Sequence, residues 1–160
     1  MNILEIGMIA TLSDYIKHAR EFDYMSGIER DNIRIKHTAE VFTPSEFVNE
    51  ILDNLEIDNP DIFSDWTHSY MDNCCGDGQI LVEVVIRKLQ RSGCTLEQAL
   101  STIYGVELMQ DNVDLCRQRL AGPSPTQEIL DILNKNVVCA DALKYDYTFG
   151  EPVGIEIYCQ

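Results

Sequence analysis

Short runs of β-forming residues alternate along this chain with longer segments whose apolar residues recur at helical spacing. The β-forming runs are YMD at residues 70–72, TIYGVEL, NVVCADAL and VGIEIYC. Between them, apolar residues recur every three or four positions, which is typical of helices with one buried face. Strands separated by helices predict βαβ units and a parallel sheet. The sequence therefore predicts an α/β fold that is doubly wound.

The helix that follows VFTP is predicted from its capping residues. Thr43 is expected to be the N-cap, with Pro44 at the first helical position and Glu46 completing a Thr-x-x-Glu capping box. We expect this helix to bury one apolar stripe, formed by Phe47, Ile51, Leu52 and Leu55.

Other capping and periodic signals divide the rest of the chain. Thr95 and Gln98 repeat the capping box, and Ser124 is expected to start another helix. Near the N-terminus, helical spacing predicts a helix ending near residue 22, with an apolar face of Ile9, Leu12, Ile16 and Ala19. We therefore expect a helical segment and polar connector over residues 1–38, and the main domain over residues 39–160.

Composition is consistent with one globular domain. The chain has 160 residues, of which 45% are hydrophobic and 24% charged, which is enough to build a core. No apolar run approaches the ~18 residues of a membrane span. The first residues lack the basic start of a secretory signal, so no membrane association is expected.

The cysteines are expected to be reduced thiols rather than disulfides or metal ligands. Six cysteines without a secretory signal predict a cytoplasmic location. Cys74 and Cys75 are too close together for a Cys-x-x-Cys pair, and the other cysteines lack ligand spacing. No metal site is therefore predicted.

The charge balance restricts the possible partners. Lys and Arg number 12 against 27 Asp and Glu, giving a net charge of −15. Such a chain repels phosphate backbones and should bind nucleic acid poorly by itself. Solubility is the plainest explanation of the charge, and the alternatives are a basic partner or mimicry of DNA charge.

Three acidic residues, Asp72, Glu107 and Asp141, stand at the predicted strand ends. Ligands of parallel sheets bind at the carboxyl ends of the strands. Between the first strand and its helix, Gly76-x-Gly78 lets a ligand approach the backbone. However, the chain lacks the third glycine of a dinucleotide loop and the Lys-Ser/Thr pair of a P-loop. The surrounding acids would repel a phosphate, so a cationic or zwitterionic ligand fits better.

The residue types at these strand ends describe that ligand further. Glu107 is suited to bind both hydroxyls of a ribose, and Asp141 to accept a hydrogen bond from an exocyclic amine. An adenosine with a cationic amino-acid tail is S-adenosylmethionine, which we expect as the cofactor.

Four motifs in this order resemble the adenine-specific DNA methyltransferases, in particular type I modification subunits and short phage-encoded relatives. The motifs are AEVFTP, DNCCGDGQIL, YGVEL and VVCADAL, and the resemblance covers residues 39–143. It implies a Rossmann-like, S-adenosylmethionine-dependent methyltransferase fold and methyl transfer to the exocyclic amine of adenine. For a phage protein, the location would be the host cytoplasm. The implied cofactor-binding residues are Phe42, Thr43, Pro44, Asp72, Cys75, Gly76, Gly78, Glu107, Leu108, Asp141, Ala142 and Leu143.

The sequence departs from this family where catalysis is expected. The family carries Asn/Asp-Pro-Pro-Tyr/Phe after the fourth strand, where it holds the target amine and stacks on the flipped base. This chain contains no Pro-Pro pair, and Asn73 replaces the usual proline of the cofactor loop. No catalytic residue is therefore assigned.

Three functions remain open at this point. The chain is either a methyltransferase component whose protein partner supplies the catalytic loop and the DNA contacts, or a non-catalytic regulator that binds S-adenosylmethionine. The third possibility is an acidic, DNA-mimicking protein that acts on a restriction-modification enzyme.

Overall fold

Helices and parallel strands alternate in the computed structural model, which describes residues 11–21 and 43–150. Within these ranges, the structure confirms a mixed α/β architecture. The elements in chain order are α1 (Leu12–Glu21), α2 (Ser45–Asp58), β1 (Tyr70–Asp72), α3 (Gln79–Ser92), α4 (Leu96–Leu100), β2 (Ile103–Glu107), α5 (Gln110–Ala121), α6 (Gln127–Asn136) and β3 (Val137–Cys139).

The sheet has three parallel strands in the order β1-β2-β3. Helix α3 contacts β1 and β2, α5 contacts β2 and β3, and the two helices contact each other, so they cover the same face of the sheet. The described strands run in chain order, without the reversal that defines a doubly wound sheet. A reversal needs a fourth strand, and the expected one, VGIEIYC, lies outside the described residues.

Helix α3 forms the centre of the core. Leu81, Val84 and Val85 are all buried, and Leu89 is partly buried. Burial extends around most of the helix and includes Val82, Glu83, Ile86, Arg87 and Lys88. This helix is enclosed because α1 and α2 both pack against it.

The capping predictions are confirmed at one helix and wrong at two. At α4, the Thr95 hydroxyl accepts from the Gln98 amide at 3.2 Å, and the Gln98 side chain accepts from the Thr95 amide at 3.0 Å. At α2, Pro44 rather than Thr43 is the N-cap, and it makes no side-chain bond. The helix begins one residue later than predicted, which leaves Thr43 too early in the chain to cap it.

At α6, the N-cap is Thr126, whose hydroxyl accepts from the Ile129 amide at 3.2 Å. The prediction that Ser124 starts this helix is therefore wrong. Ser124 is two positions before the actual cap, and Pro125 lies between them.

The buried stripe predicted for α2 is also partly wrong. Val48 and Leu52 are buried, whereas Phe47 is 54% and Ile51 41% exposed. The orientation follows from Arg87 of α3, which donates hydrogen bonds to Asn49, Asp53 and Glu56 on one side of α2. This ionic anchor turns Val48 and Leu52, rather than Phe47, towards α3.

Helix α1 packs on α3 and α5 through Tyr15 and Ala19, both of which are buried. Arg20 binds Glu83 through two 2.9 Å contacts, which tie α1 to α3. Of the predicted apolar face, Ala19 is buried, Ile16 is partly buried and Leu12 is 41% exposed. Ile9 and the expected domain boundary at residue 38 lie outside the described residues.

Lys88 is a fully buried cation beneath the first strand. Its ammonium donates to the backbone oxygens of Trp66 and His68 and to the Thr102 hydroxyl, and it lies 4.8 Å from the centre of the Tyr70 ring. Burial lowers its pKa to about 8, because the interior disfavours the charged form.

This depressed pKa predicts a pH-dependent stability. An unfolded lysine titrates near ~10.4, so the unfolded chain binds more protons between about pH 8 and 10, and the free energy of unfolding rises with pH. We expect Lys88 to contribute about 2 kcal/mol to this rise in the free energy of unfolding, and Lys88→Met to remove that contribution. Urea unfolding measured across this range tests the prediction, and Lys17→Met, which changes an exposed lysine of α1, is the control. An unchanged rise in Lys88→Met would contradict the assignment.

Candidate ligand site at the carboxyl ends of the strands

The sheet brings the predicted strand-end acids to one edge. Asp72 ends β1 and Glu107 ends β2, and the register pairs Asp72 with Gly105 and Glu107 with Cys139 at the end of β3. Burial raises the pKa of Asp72, and the negative charge of Glu107 raises it further. Asp72 and Glu107 are therefore close enough to interact, which is the juxtaposition that the sequence predicted.

The loop from β1 to α3 is held by hydrogen bonds to the Asp72 side chain and to the backbone of β2. The Asp72 carboxylate accepts from the Cys74 amide at 3.0 Å, and the Cys75 amide donates to the Val106 carbonyl at 3.0 Å. Gly76 and Gly78 have φ angles of 54° and 85°, in the left-handed region that favours glycine. The loop therefore has a fixed shape above the end of β2.

Glu107 fastens that loop to the following one. Its Oε2 accepts from the Gly76 amide at 3.0 Å, while its Oε1 accepts from the Met109 amide at 2.9 Å and from the Asn112 side chain at 3.4 Å. A carboxylate oxygen accepts about two hydrogen bonds, so Oε2 retains room for one more. Glu107, the predicted ribose-binding acid, thus has a structural role, and its Oε2 can accept one further hydrogen bond.

Cys75 and Gly78 face the core rather than the edge of the sheet. The Cys75 thiol is buried and hydrogen-bonded to Cys116, and this bond together with burial raises its pKa far above the usual value. A Cβ on Gly78 would lie 2.6 Å from the Cys116 sulfur. Close packing accounts for both residue types, so a ligand would meet only the backbone of this part of the loop.

Residues 141–143 form a turn beyond β3. The Asp141 carboxylate accepts from the Leu143 amide at 3.0 Å and pairs with Lys144 at 3.2 Å, and the Leu143 amide is the main cause of its lowered pKa. Ala142 accepts a hydrogen bond from the Tyr147 hydroxyl at 2.7 Å. Leu143 is 95% exposed and Leu108 is 56% exposed, so both offer apolar surface to a ligand.

The start of α2 is connected to the loop through a network that the sequence did not indicate. Ser45 accepts from the Gln79 side chain at 2.7 Å, and Gln79 accepts from Arg119 at 2.8 Å. Arg119, which is 2% exposed, also pairs with Asp77 at 3.0 Å. Thr43 and Pro44 precede this contact, whereas Phe42 lies outside the described residues.

Two cavities lie away from these acids. They measure about 260 and 400 Å³ and share Ala121, Gly122 and Pro123. Gly93, which follows the end of α3, lines the smaller cavity, and Gly122, which follows the end of α5, lines both. The cavities are therefore at the opposite end of these helices from the glycine loop. Their walls are mainly apolar, and the concentration of carboxylates makes the strand-end edge the better candidate for a polar ligand.

Two features are absent from the part of the chain that the structure describes. Over residues 11–21 and 43–150, no three His, Cys, Asp or Glu side chains are grouped to hold a metal ion. In the same ranges, no helix has the length and apolar character needed to cross a membrane.

The fold and site define a mixed α/β protein with an acidic edge at the carboxyl ends of three parallel strands. No protein-family model, curated protein or solved structure matches the chain.

Proposed function

We propose that the chain binds S-adenosylmethionine at the strand-end edge, as the cofactor-binding part of a DNA adenine methyltransferase with a Rossmann-like fold. The observation that carries this proposal is the position of Glu107, whose Oε2 accepts a single described hydrogen bond, from the Gly76 amide, although a carboxylate oxygen can accept about two. A carboxylate beside a left-handed glycine loop suits a ribose hydroxyl whose nucleoside lies across the strand ends.

The other predicted residues fit the remaining parts of this ligand. Asp72 would attract the cationic amino-acid tail, because opposite charges stabilise each other in a partly buried site. Leu108 and Leu143 would flank the adenine ring with their exposed side chains, and Asp141 would accept from its amine. The bound cofactor supplies a sulfonium methyl group for transfer to an exocyclic nitrogen, whereas this chain contributes binding and orientation.

DNA contact would then require a partner protein. The described cations are largely engaged within the fold, because Arg87, Lys88 and Arg119 are buried and Arg20 and Arg91 bind glutamates. With a net charge of −15, the chain offers a phosphate backbone little attraction. We therefore assign the catalytic loop and DNA recognition to a partner, and a cytoplasmic location to the complex.

The net charge of −15 also favours a second candidate function. A chain that binds S-adenosylmethionine without contacting DNA would act as a non-catalytic regulator. The separate alternative is an acidic protein that mimics DNA on a restriction-modification enzyme. Methyl transfer to mixed-sequence DNA by the purified chain would rule this out, whereas cofactor binding without transfer is consistent with it.

Cysteine alkylation tests the proposed site directly. Cys74 and Cys139 are exposed near the ends of β1 and β3, so bound cofactor should cover both. At about ten times the dissociation constant, S-adenosylmethionine should slow their reaction with iodoacetamide about tenfold. Cys94, which lines the 260 Å³ cavity, is the internal control. Mass spectrometry showing equal rates with and without cofactor would reject the site.

A further inference from the structure

Helix α2 carries a second apolar face, which points to solvent. Phe47 is 54% and Ile51 41% exposed, and because they are one helical turn apart they lie side by side. The buried residues Val48 and Leu52 occupy a different face of the same helix. Single exposed apolar residues need no explanation, but two large neighbouring ones on a helix indicate a contact surface.

Acidic residues border this apolar face. Glu46 and Glu50 are one turn apart beside Phe47, and Asp58 follows Ile51 by seven positions, on the same side of the helix. All three are exposed, and no described residue forms an ion pair or hydrogen bond with their carboxylates. By contrast, Asp53 and Glu56 of the same helix pair with Arg87.

We propose that this surface, formed by Phe47, Ile51, Glu46, Glu50 and Asp58, docks a basic amphipathic helix of another protein. The apolar residues of that helix would cover Phe47 and Ile51, and its Lys or Arg side chains would relieve the repulsion between Glu46 and Glu50. Charge complementarity selects this occupant. A second copy of a chain with net charge −15 would add repulsion, as would a nucleic acid.

This surface also has a direct connection to the candidate ligand site. Ser45, two residues before Phe47, accepts the hydrogen bond from Gln79 at the start of α3. A partner docked on α2 would therefore contact the same helix whose first residue is bonded to the start of α3. The proposal rests only on α2 and does not require S-adenosylmethionine to be the ligand.

Fluorescence anisotropy with a synthetic leucine-lysine amphipathic helix tests the surface at physiological salt. We expect saturable binding to the parent chain that Phe47→Ser and Ile51→Ser each weaken about tenfold, the usual effect of truncating an interface anchor. Leu130→Ser on α6 is the matched control, because Leu130 is 37% exposed and lies on another helix. The Leu130→Ser variant should bind the peptide with the same affinity as the parent chain.

Three results would overturn the proposal. One is equal binding of a peptide with the same composition but no apolar face, which would indicate attraction by charge alone. Another is absent binding, or equal weakening by Leu130→Ser. The third is a melting temperature lowered more by Phe47→Ser than by Leu130→Ser, which would mean that the chain itself covers the surface.

Discussion

Gly78→Ala is expected to lower the free energy of unfolding by about 3 kcal/mol, through two separate effects. At φ 85°, an alanine side chain is strained by the left-handed backbone. In addition, its Cβ would lie 2.6 Å from the Cys116 sulfur, which the core holds in place. Urea unfolding of the two proteins measures the difference.

Gly93→Ala is the control that separates these two effects. Gly93 also has a left-handed φ, 68°, but no atom lies within 4 Å of a Cβ placed there. The Gly93→Ala variant should lose only about 1 kcal/mol of unfolding free energy, because only the backbone strain applies. Equal losses in the two variants would show that the contact with Cys116 does not constrain the loop.

Glu107→Ala is expected to destabilise the chain by about 2–4 kcal/mol, because it leaves buried donors without their acceptor. Glu107 is only 9% exposed, and it accepts from the Gly76 and Met109 amides and from Asn112. The loop between β1 and α3 should loosen first. Urea unfolding gives the energy, and amide hydrogen exchange at Gly76 reports the loosening.

Glu128→Ala provides the comparison for this variant. Glu128 is exposed in the first turn of α6, and a surface change of this kind usually alters stability by less than about 0.5 kcal/mol. If Glu107→Ala behaved like Glu128→Ala, or left exchange at Gly76 unchanged, Glu107 would not hold the β1–α3 loop to the β2–α5 loop.

The parts of the fold with strong local patterns were predictable from sequence. Strand β1, the end of β2 at Glu107 and the capping box at Thr95 and Gln98 all match the structure. Each depends on neighbouring residues, either through β-forming side chains or through bonds that span three positions. Parallel pairing then brings Asp72 and Glu107 to one edge, as expected from the alternation of strands and helices.

Features set by distant residues were not predictable. The face that α2 buries is fixed by Arg87, more than thirty positions away along the chain. Likewise, three helices, α2, α3 and α5, are joined by a chain of contacts that runs from Ser45 through Gln79 to Arg119 and its partner Asp77. In the sequence, Arg119 is one of several polar residues of an amphipathic helix, and nothing marks it as buried.

The placement of Asp72 and Glu107 at the strand ends was predictable, but not all the reasons for the residue types found there. The glycine loop was interpreted as room for a ligand, yet Gly78 is also required by its contact with Cys116, and Cys75 packs into the core. Glu107 was interpreted as a ribose acceptor, yet most of its hydrogen-bonding capacity is used within the protein. Packing and ligand binding select the same residue types here, so sequence patterns alone cannot separate them.

Calorimetric titration of the chain with S-adenosylmethionine tests the central proposal most directly, with Asp72→Ala and the exposed Asp58→Ala as variants. We predict saturable binding that Asp58→Ala preserves and that Asp72→Ala weakens by about 1–3 kcal/mol, the loss of a charge-assisted interaction. Absence of binding to both S-adenosylmethionine and S-adenosylhomocysteine, or equal binding by parent and Asp72→Ala, would contradict the proposed cofactor site.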